Sequence, residues 1–204
     1  MASSTAQTAP RKRLHPEERR EQLLEAAIEQ FARQGIGEAK HADIARAVGI
    51  TTAATFKYFP TRDALVTDVI DAVSAFVLSL FDGVEPVKGG AAAILRALAG
   101  KALTLVDTHP YHVQVWLGWS TRFDPDMRAR YRLFEEELLS RISHILWAGD
   151  EKFCRDNRDD ARILMAASLT LCIMKLDGEP PEKLARFTEH TIDVVMAYGR
   201  DGTG

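Results

Sequence analysis

The side chains best suited to contact a partner molecule lie within residues 41–60, a stretch that reads as two short helices joined by a tight turn. By helical spacing, one face of the second helix carries Thr52, Ala53, Phe56 and Lys57. Small residues allow close approach to base edges, a hydroxyl group can donate or accept, a ring can touch a thymine methyl group, and a lysine can reach a phosphate. This face could therefore enter a groove of duplex DNA. The alternative is a plain helical hairpin with Phe56 in the core and Lys57 solvated.

The surrounding residues predict how that face is held in position. The first helix has a narrow apolar face, and Gly49 follows it where a left-handed residue is wanted to end a helix. Thr51 can then act as the N-cap of the second helix, because its hydroxyl group can accept an amide hydrogen bond from the first turn. The second helix is predicted to run over about 52–58 and to stop near Pro60. The pattern therefore predicts a helix-turn-helix.

A basic segment precedes the first helix of the chain. Residues 1–10 are rich in Ala, Ser and Thr, and we expect them to be disordered in isolation. Arg11, Lys12 and Arg13 follow, shortly before a helix that is predicted to start near Pro16 and to act as scaffold. A short basic arm of this kind can lie in the minor groove beside the site read by a recognition helix. The alternative is three solvated charges at a frayed terminus.

Composition and charge narrow the class of protein further. The 46% hydrophobic and 27% charged residues are ordinary for a soluble globular chain. Residues 1–62 carry ten Lys and Arg against seven Asp and Glu, whereas residues 63–204 carry sixteen against twenty-two. A basic amino-terminal unit on an acidic body fits a DNA reader attached to a domain with another task, although solvated charge would give the same split.

The sequence also argues against secretion, membrane insertion and catalysis. No apolar signal segment or membrane-spanning run is evident, and Cys154 and Cys172 lack a CxxC spacing, so we expect a cytoplasmic protein with reduced thiols. His109 and His112 are separated by Pro110 and have no third ligand nearby in the sequence, so no metal site is expected. No P-loop, GxGxxG or GxSxG motif occurs, so neither a cofactor nor an enzymatic activity is predicted.

Beyond Pro60 the chain is predicted to be helical throughout, so the fold class is all-α. A long helix with Thr61 as its N-cap should join the DNA-binding domain, residues 11–62, to a body formed by residues 63–204. Further helices are predicted at about 91–106, 111–121, 125–147, 161–176 and 182–198. The last two are apolar on more than one side, which predicts a homodimer that joins both helices of each chain in a four-helix interface. The alternative is a monomer in which this helical hairpin is buried.

Several short motifs occur together in one order along the amino-terminal part. They are Phe31-Ala32-Arg33-Gln34-Gly35, Asp43-Ile44-Ala45, Gly49-Ile50-Thr51 and Phe56-Lys57-Tyr58-Phe59-Pro60-Thr61-Arg62-Asp63-Ala64-Leu65. This series resembles the DNA-binding domain of the TetR family of transcriptional regulators. Within that family the chain is most similar to the LuxR/HapR/SmcR group of quorum-sensing master regulators, densely over residues 11–73 and more thinly to about 122. Lys57 departs from that group, which has an uncharged residue there, and His15 replaces the expected Ser.

The resemblance implies a homodimer that reads a roughly palindromic DNA operator with the 52–58 helix of each protomer. The implied DNA-contacting residues are Arg11, Arg13, Thr51, Thr52, Ala53, Phe56, Lys57, Tyr58 and Arg62, with Arg62 on a phosphate and the two amino-terminal arginines in the minor groove. The resemblance also implies a cavity for a small apolar ligand, with candidate walls Phe76, Trp116, Trp119 and Cys172. By composition alone, two neighbouring tryptophans are more often ordinary core.

Other function classes remain open at this stage. The chain could be a local repressor of the same family that responds to a small molecule, or a helical ligand-binding protein that does not bind DNA. An α-helical enzyme using His109 or His112 would need a nearby acid or nucleophile, and the sequence offers none.

Overall fold

The computed structural model describes residues 15–84, 90–149, 153 and 158–198, and these residues form helices and no strand. The helices are α1 (Pro16–Gln34), α2 (His41–Val48), α3 (Thr52–Phe56), α4 (Arg62–Ser79), α5 (Gly90–Thr108), α6 (Pro110–Ser120), α7 (Pro125–Gly149), α8 (Asp159–Leu176) and α9 (Pro181–Tyr198). The predicted all-α fold class is confirmed. Most predicted boundaries differ from the observed ones by one or two residues.

The amino-terminal helices form a small unit around α1. This helix buries Leu23, Ala27, Ile28 and Phe31 on one stripe and packs against α2, α4 and α6. It starts at Pro16, and the carboxylate of Glu18 accepts a hydrogen bond of 2.8 Å from the backbone N–H of His15. That bond satisfies one of the donors left free at a helix start, although His15 replaces the more usual serine.

α4 connects this unit to the remaining helices. Its N-cap is Thr61, whose hydroxyl oxygen accepts a hydrogen bond of 3.0 Å from the backbone N–H of Ala64, as the sequence predicted. The ion pair between Arg20 of α1 and Asp68 of α4, at 2.8 Å, lies across the interface of these two helices. α4 therefore begins directly behind the helix-turn-helix and is fixed to its scaffold helix.

The larger unit is formed by α5 to α9. α5 packs against α7, α8 and α9, and α8 and α9 pack against each other as an antiparallel pair joined by a short turn at Gly178. The buried apolar side chains form one continuous core that extends from α1 to α9. Among the described residues, no helix is long and apolar enough to cross a bilayer.

Candidate nucleic-acid interface and ligand cavity

The turn between α2 and α3 has the geometry that the sequence predicted. Gly49 has φ 73° and ψ 42°, a left-handed conformation that glycine adopts without steric cost. The backbone N–H of Ile50 reaches back to the carbonyl oxygen of Ala45 at 3.0 Å, which closes the end of α2. The hydroxyl oxygen of Thr51 accepts a hydrogen bond of 3.2 Å from the backbone N–H of Ala54, so Thr51 is the N-cap of α3.

α3 is shorter than predicted, because it ends at Phe56 and not at Tyr58. The amides of Lys57 and Tyr58 bond to carbonyls three residues earlier, at 3.3 and 3.0 Å, which tightens the last turn. Pro60 follows soon after, and the residue before a proline avoids the helical conformation. Lys57 and Tyr58 therefore lie on a turn at the end of α3.

The two faces of α3 differ in exposure as helical spacing predicted. Thr55 and, just beyond the helix, Phe59 are completely buried. The opposite face is open to solvent and presents Thr51, Thr52, Ala53, Phe56 and Lys57. Phe56 is 45% exposed, which contradicts the alternative that placed it in the core. A face of two threonines, an alanine, a ring and a lysine is thus available to a partner.

His41, the first residue of α2, supports this face from below. Its ring stacks on the ring of Phe56 with centroids 4.1 Å apart and planes inclined by 12°. Its Nε2 atom lies 2.8 Å from the carbonyl oxygen of Phe59, and its side chain is buried. The sequence analysis did not assign His41 a role, because its partners lie fifteen and eighteen residues away and no local spacing indicates that contact. His41 fixes both the orientation of Phe56 and the end of α3.

Arg62, predicted to bind a phosphate, is engaged within the chain. Its guanidinium group donates hydrogen bonds to the backbone carbonyl oxygens of Ala39, at 2.9 Å, Ile36, at 3.4 Å, and Gly37. These carbonyls belong to the segment between α1 and α2, so Arg62 ties the start of α4 to that segment. Arg62 therefore has a role within the chain that the sequence did not indicate, and its contact with a phosphate stays a prediction.

The remaining predicted DNA-contacting residues differ in what can be said of them. Tyr58 is half-buried at the end of α3 and packs against the core. Arg11 and Arg13, the two arginines of the predicted basic arm, lie outside the described residues.

The helix-turn-helix unit contacts the body mainly through α1 and α6. The guanidinium group of Arg33 donates a hydrogen bond of 2.7 Å to the hydroxyl oxygen of Tyr111 and lies 5.3 Å from the centre of its ring. Close by, Nε2 of the buried His112 lies 3.7 Å from a carboxylate oxygen of Glu25. Burial lowers the pKa of His112, Glu25 opposes that shift, and His109 lowers the pKa further.

An apolar cavity occupies the centre of the body. It encloses about 790 Å³, including the part open to solvent, and side chains from all helices of the body and from the end of α4 line it. Its lining residues are Val77, Leu80, Phe81, Leu95, Leu98, Ala99, Ala102, Trp116, Leu138, Ile142, Leu164, Ala167, Ser168, Leu171, Phe187, Thr188, Thr191 and Ile192. Mainly apolar walls with a few polar groups are typical of a site for a small molecule.

Of the four predicted wall residues, Trp116 lines this cavity. The prediction is corrected for Phe76, Trp119 and Cys172. The ring of Phe76 instead packs against the rings of His109 and His112, with centroids 4.9 and 4.5 Å away. Trp119 is buried toward the start of α7, where its indole N–H donates a hydrogen bond of 3.1 Å to the carbonyl oxygen of Met127.

Cys172 is buried on α8 outside the cavity, and burial raises the pKa of its thiol to about 11. A thiol with so high a pKa is protonated and unreactive near neutral pH. No group of three or more potential metal ligands occurs among the residues that the structure describes.

α8 carries an exposed stripe that the body does not cover. Its members follow at intervals of three, four and three residues, which is the spacing of one seam of a helical bundle. They are Ile163, Ala166, Thr170 and Ile173. Ile163 is 50% exposed and Ile173 47%, and Val194 on the neighbouring α9 is also exposed.

The fold and these sites define an all-α helix-turn-helix protein with an apolar cavity in its body. Residues 23–69 match the sequence model for bacterial regulatory proteins of the tetR family. The predicted resemblance to TetR-type regulators is therefore confirmed, and residues 23–69 carry the amino-terminal domain of that family.

Comparison with characterised proteins agrees with this family domain. The HTH-type transcriptional regulator LuxR of Vibrio harveyi is 38% identical over 112 residues, which are 54% of this chain and 54% of LuxR. The chain thus matches about half the length of that relative.

Solved structures share the whole fold at low sequence identity. A TetR-like transcriptional regulator from Rhodococcus sp. RHA1 superposes with a TM-score of 0.75 at 19% identity, over 91% of this chain and 100% of that one. The regulator FadR from Bacillus subtilis, solved in complex with stearoyl-CoA, gives a TM-score of 0.69 at 14% identity, over 88% and 98%. These likenesses establish the fold of the body as well as that of the helix-turn-helix unit.

Proposed function

We propose that the protein is a homodimeric, sequence-specific transcriptional regulator that reads a roughly palindromic operator with α3 and the turn that follows it. The observation that carries this proposal is the open face of α3, built from small residues, a ring and a lysine above a completely buried opposite face. Such a surface can approach base edges closely and reach a phosphate at its end. The match to LuxR supports a regulator of that type.

The dimer is supported by the exposed stripe on α8 and its neighbour Val194. Apolar side chains spaced at three and four residues on a helix surface stabilise a protein when a second helix covers them and removes them from water. A two-fold axis through α8 and α9 would give each dimer two copies of α3. Two readers related by that axis call for two half-sites in the DNA, about one helical turn or a multiple of it apart.

Regulation by a small, mainly apolar ligand is supported by the cavity. Its lining includes Val77, Leu80 and Phe81 at the end of α4, the helix that begins behind the helix-turn-helix. A molecule that enters the cavity therefore contacts the connector directly. The FadR structure with stearoyl-CoA supports a ligand role for this fold. Because the sequence identity is low, the ligand of this chain has to be inferred from the residues that line its own cavity.

Two parts of the proposal rest on the sequence and its resemblance, without a contact in the structure. The minor-groove role of Arg11 and Arg13 stays a prediction, and so does a place for the protein in quorum sensing. A local repressor of the same family would share the DNA-binding surface and the cavity, and would be distinguished by operators confined to the neighbourhood of its own gene.

Selection of bound fragments from the source genome with the purified full chain tests the DNA-binding proposal. The fragments should share a two-fold symmetric motif. Lys57→Ala should then weaken binding to the selected operator about tenfold or more and reduce the slope of log affinity against log salt by about two, since one cationic contact is lost in each half-site.

Lys101→Ala is the matched control, because it removes the same charge from an exposed position on α5 of the body. Its affinity and salt dependence should equal those of the unmodified protein. If no fragment is enriched over random DNA, the chain is a helical ligand-binding protein and the regulator proposal is wrong. If Lys57→Ala and Lys101→Ala behave alike, Lys57 does not contact DNA.

A further inference from the structure

We infer that the cavity selects an uncharged, mainly hydrocarbon ligand that bears a hydrogen-bonding group, such as a hydroxyl or a carbonyl, directed at the hydroxyl of Thr188. The inference rests on the ligand cavity of the proposed function and names the chemical class of its ligand. It follows from which polar atoms line the cavity and from how each of them is already bonded.

Charge is missing from the walls. The lining residues among the described part of the chain are aliphatic or aromatic, except for Ser168, Thr188 and Thr191. A carboxylate, phosphate or ammonium group that entered this space would lose its hydration and find no opposite charge. The cavity therefore discriminates against ligands whose charged group must be buried.

The three hydroxyl groups come from the adjacent helices α8 and α9. Thr188 and Thr191 are three residues apart and so share a face of α9, and Ser168 lies on α8, which packs against it. The other walls, from α4, α5 and α7, supply only apolar side chains. The cavity thus has a polar end at the α8–α9 pair and an apolar remainder.

The bonding of these hydroxyl groups decides what the polar end can recognise. Ser168 donates its proton to the carbonyl oxygen of Met165, at 2.7 Å, and Thr191 donates to that of Phe187, at 2.9 Å. The hydroxyl oxygen of Thr188 is buried and has no hydrogen-bond partner among the described residues. A ligand group that bonds to Thr188 would remove the free-energy cost of leaving that hydroxyl unpaired.

Trp116 also has a buried indole N–H without an acceptor at hydrogen-bonding distance. Burial and Glu135 raise the pKa of Tyr131, however, and the nearby side chains of Arg128 and Trp116 oppose that rise only in part. Because Trp116 has this neighbour within the core, Thr188 is the clearer donor toward a ligand.

Four probes of nearly equal shape test the inference: phenylbutanol, butylbenzene, phenylbutanoate and phenylbutylammonium. Binding to the full chain is measured by calorimetric titration near neutral pH, where both ionisable probes are charged. Phenylbutanol should bind about tenfold or more tightly than either charged probe, because their charges would be buried unpaired. Butylbenzene should bind with an affinity between these limits.

Thr188→Val keeps the shape of the side chain and removes its hydroxyl. It should weaken phenylbutanol about fivefold, the usual effect of one lost neutral hydrogen bond, and leave butylbenzene unchanged. Thr188→Ser keeps a hydroxyl and should retain most of the preference for phenylbutanol over butylbenzene. Ala99→Trp, which fills the cavity from α5, should abolish binding of all the probes.

The outcomes separate this inference from the proposal on which it rests. If none of the probes binds the unmodified protein, the ligand cavity itself is wrong, and the inference fails with it. If the charged probes bind as tightly as phenylbutanol, or if Thr188→Val leaves the phenylbutanol preference intact while Ala99→Trp abolishes binding, the cavity stands and the assigned ligand class is overturned.

Discussion

The open face of α3 and the apolar cavity of the body differ in how many parts of the chain build them. The first depends on α3, five residues long, with a cap at Thr51 and a preceding turn at Gly49, and nearly all its exposed side chains lie within seven consecutive positions. The second is lined by eighteen residues drawn from six helices between Val77 and Ile192. One surface is local in the sequence, and the other is distributed over most of the body.

The two regions should therefore differ in how they respond to substitutions and to shifts of helices. A local surface can be altered one side chain at a time, because its neighbours on the helix keep their positions. A distributed cavity changes its shape when any of several helices shifts, which suits a region that is proposed to couple a ligand to the connector α4. His41 and Arg62 hold the local surface within the amino-terminal unit, and the α1–α6 contact joins that unit to the body.

The largest expected effect comes from the exposed stripe on α8. Ile163→Asp combined with Ile173→Asp should convert the proposed dimer to a monomer, because two charges from each protomer would be buried in the four-helix interface. Affinity for the full operator should fall by about two orders of magnitude or more, since the second half-site no longer adds its binding. Sedimentation equilibrium and operator titration measure the two effects.

Leu133→Asp is the matched control for that variant. Leu133 lies on α7 and is 76% exposed, so a charge there is solvated and should leave both the mass and the operator affinity unchanged. A double α8 variant that remains a dimer would show that another surface joins the protomers. The two copies of α3 would then be related by a different two-fold axis.

A smaller effect is expected from His41→Ala, which breaks the support beneath α3. Loss of the stacking on Phe56 and of the bond to the Phe59 carbonyl should lower the free energy of unfolding by about 2 kcal/mol. Operator affinity should also fall about tenfold, because Phe56 loses the ring that orients it. Urea unfolding and operator titration provide the measurements.

His144→Ala, at an exposed position on α7, is the control for His41→Ala and should change neither quantity appreciably. If the His41→Ala variant is destabilised but binds DNA with unaltered affinity, the exposed side chains of α3 keep their geometry without the contact from α2. In that case the open face of α3 is even more local than its contacts indicate.

The smallest expected effect is a pH dependence at the α1–α6 contact. Because burial lowers the pKa of His112 from its ordinary value of 6.5, protonation favours the unfolded state. The stability that neutral His112 contributes is fully present above pH 6.5, and it is lost as the pH falls from there toward the lowered pKa of the folded state. Urea unfolding at about pH 7.5 and about pH 5.5 should therefore show a larger loss of stability in the unmodified protein than in His112→Gln.

His144→Gln serves as the control for this experiment, because it makes the same substitution at an exposed position on α7, away from the α1–α6 contact. If His112→Gln and the unmodified protein lose the same stability between the two pH values, His112 does not couple the α1–α6 contact to pH.

The sequence by itself determined the features that depend on neighbouring residues. The caps at Thr51 and Thr61, the left-handed Gly49 and the division of α3 into a buried and an open face follow from local backbone chemistry and helical spacing, and the structure confirms each of them. The family of the amino-terminal domain was predictable for the same reason, because its motifs are short and consecutive.

Tertiary structure alone decided the features that join distant parts of the chain. Helical spacing places Trp116 and Trp119 close together, but only the packing of α7 directs Trp119 away from the cavity and leaves Trp116 on its wall. Likewise, the sequence alone predicts Arg62 as an exposed cation. Only the folding of the segment between α1 and α2 turns carbonyl groups toward its guanidinium group. Periodicity fixes which way a side chain points from its own helix, whereas the partner it meets depends on where the other helices lie.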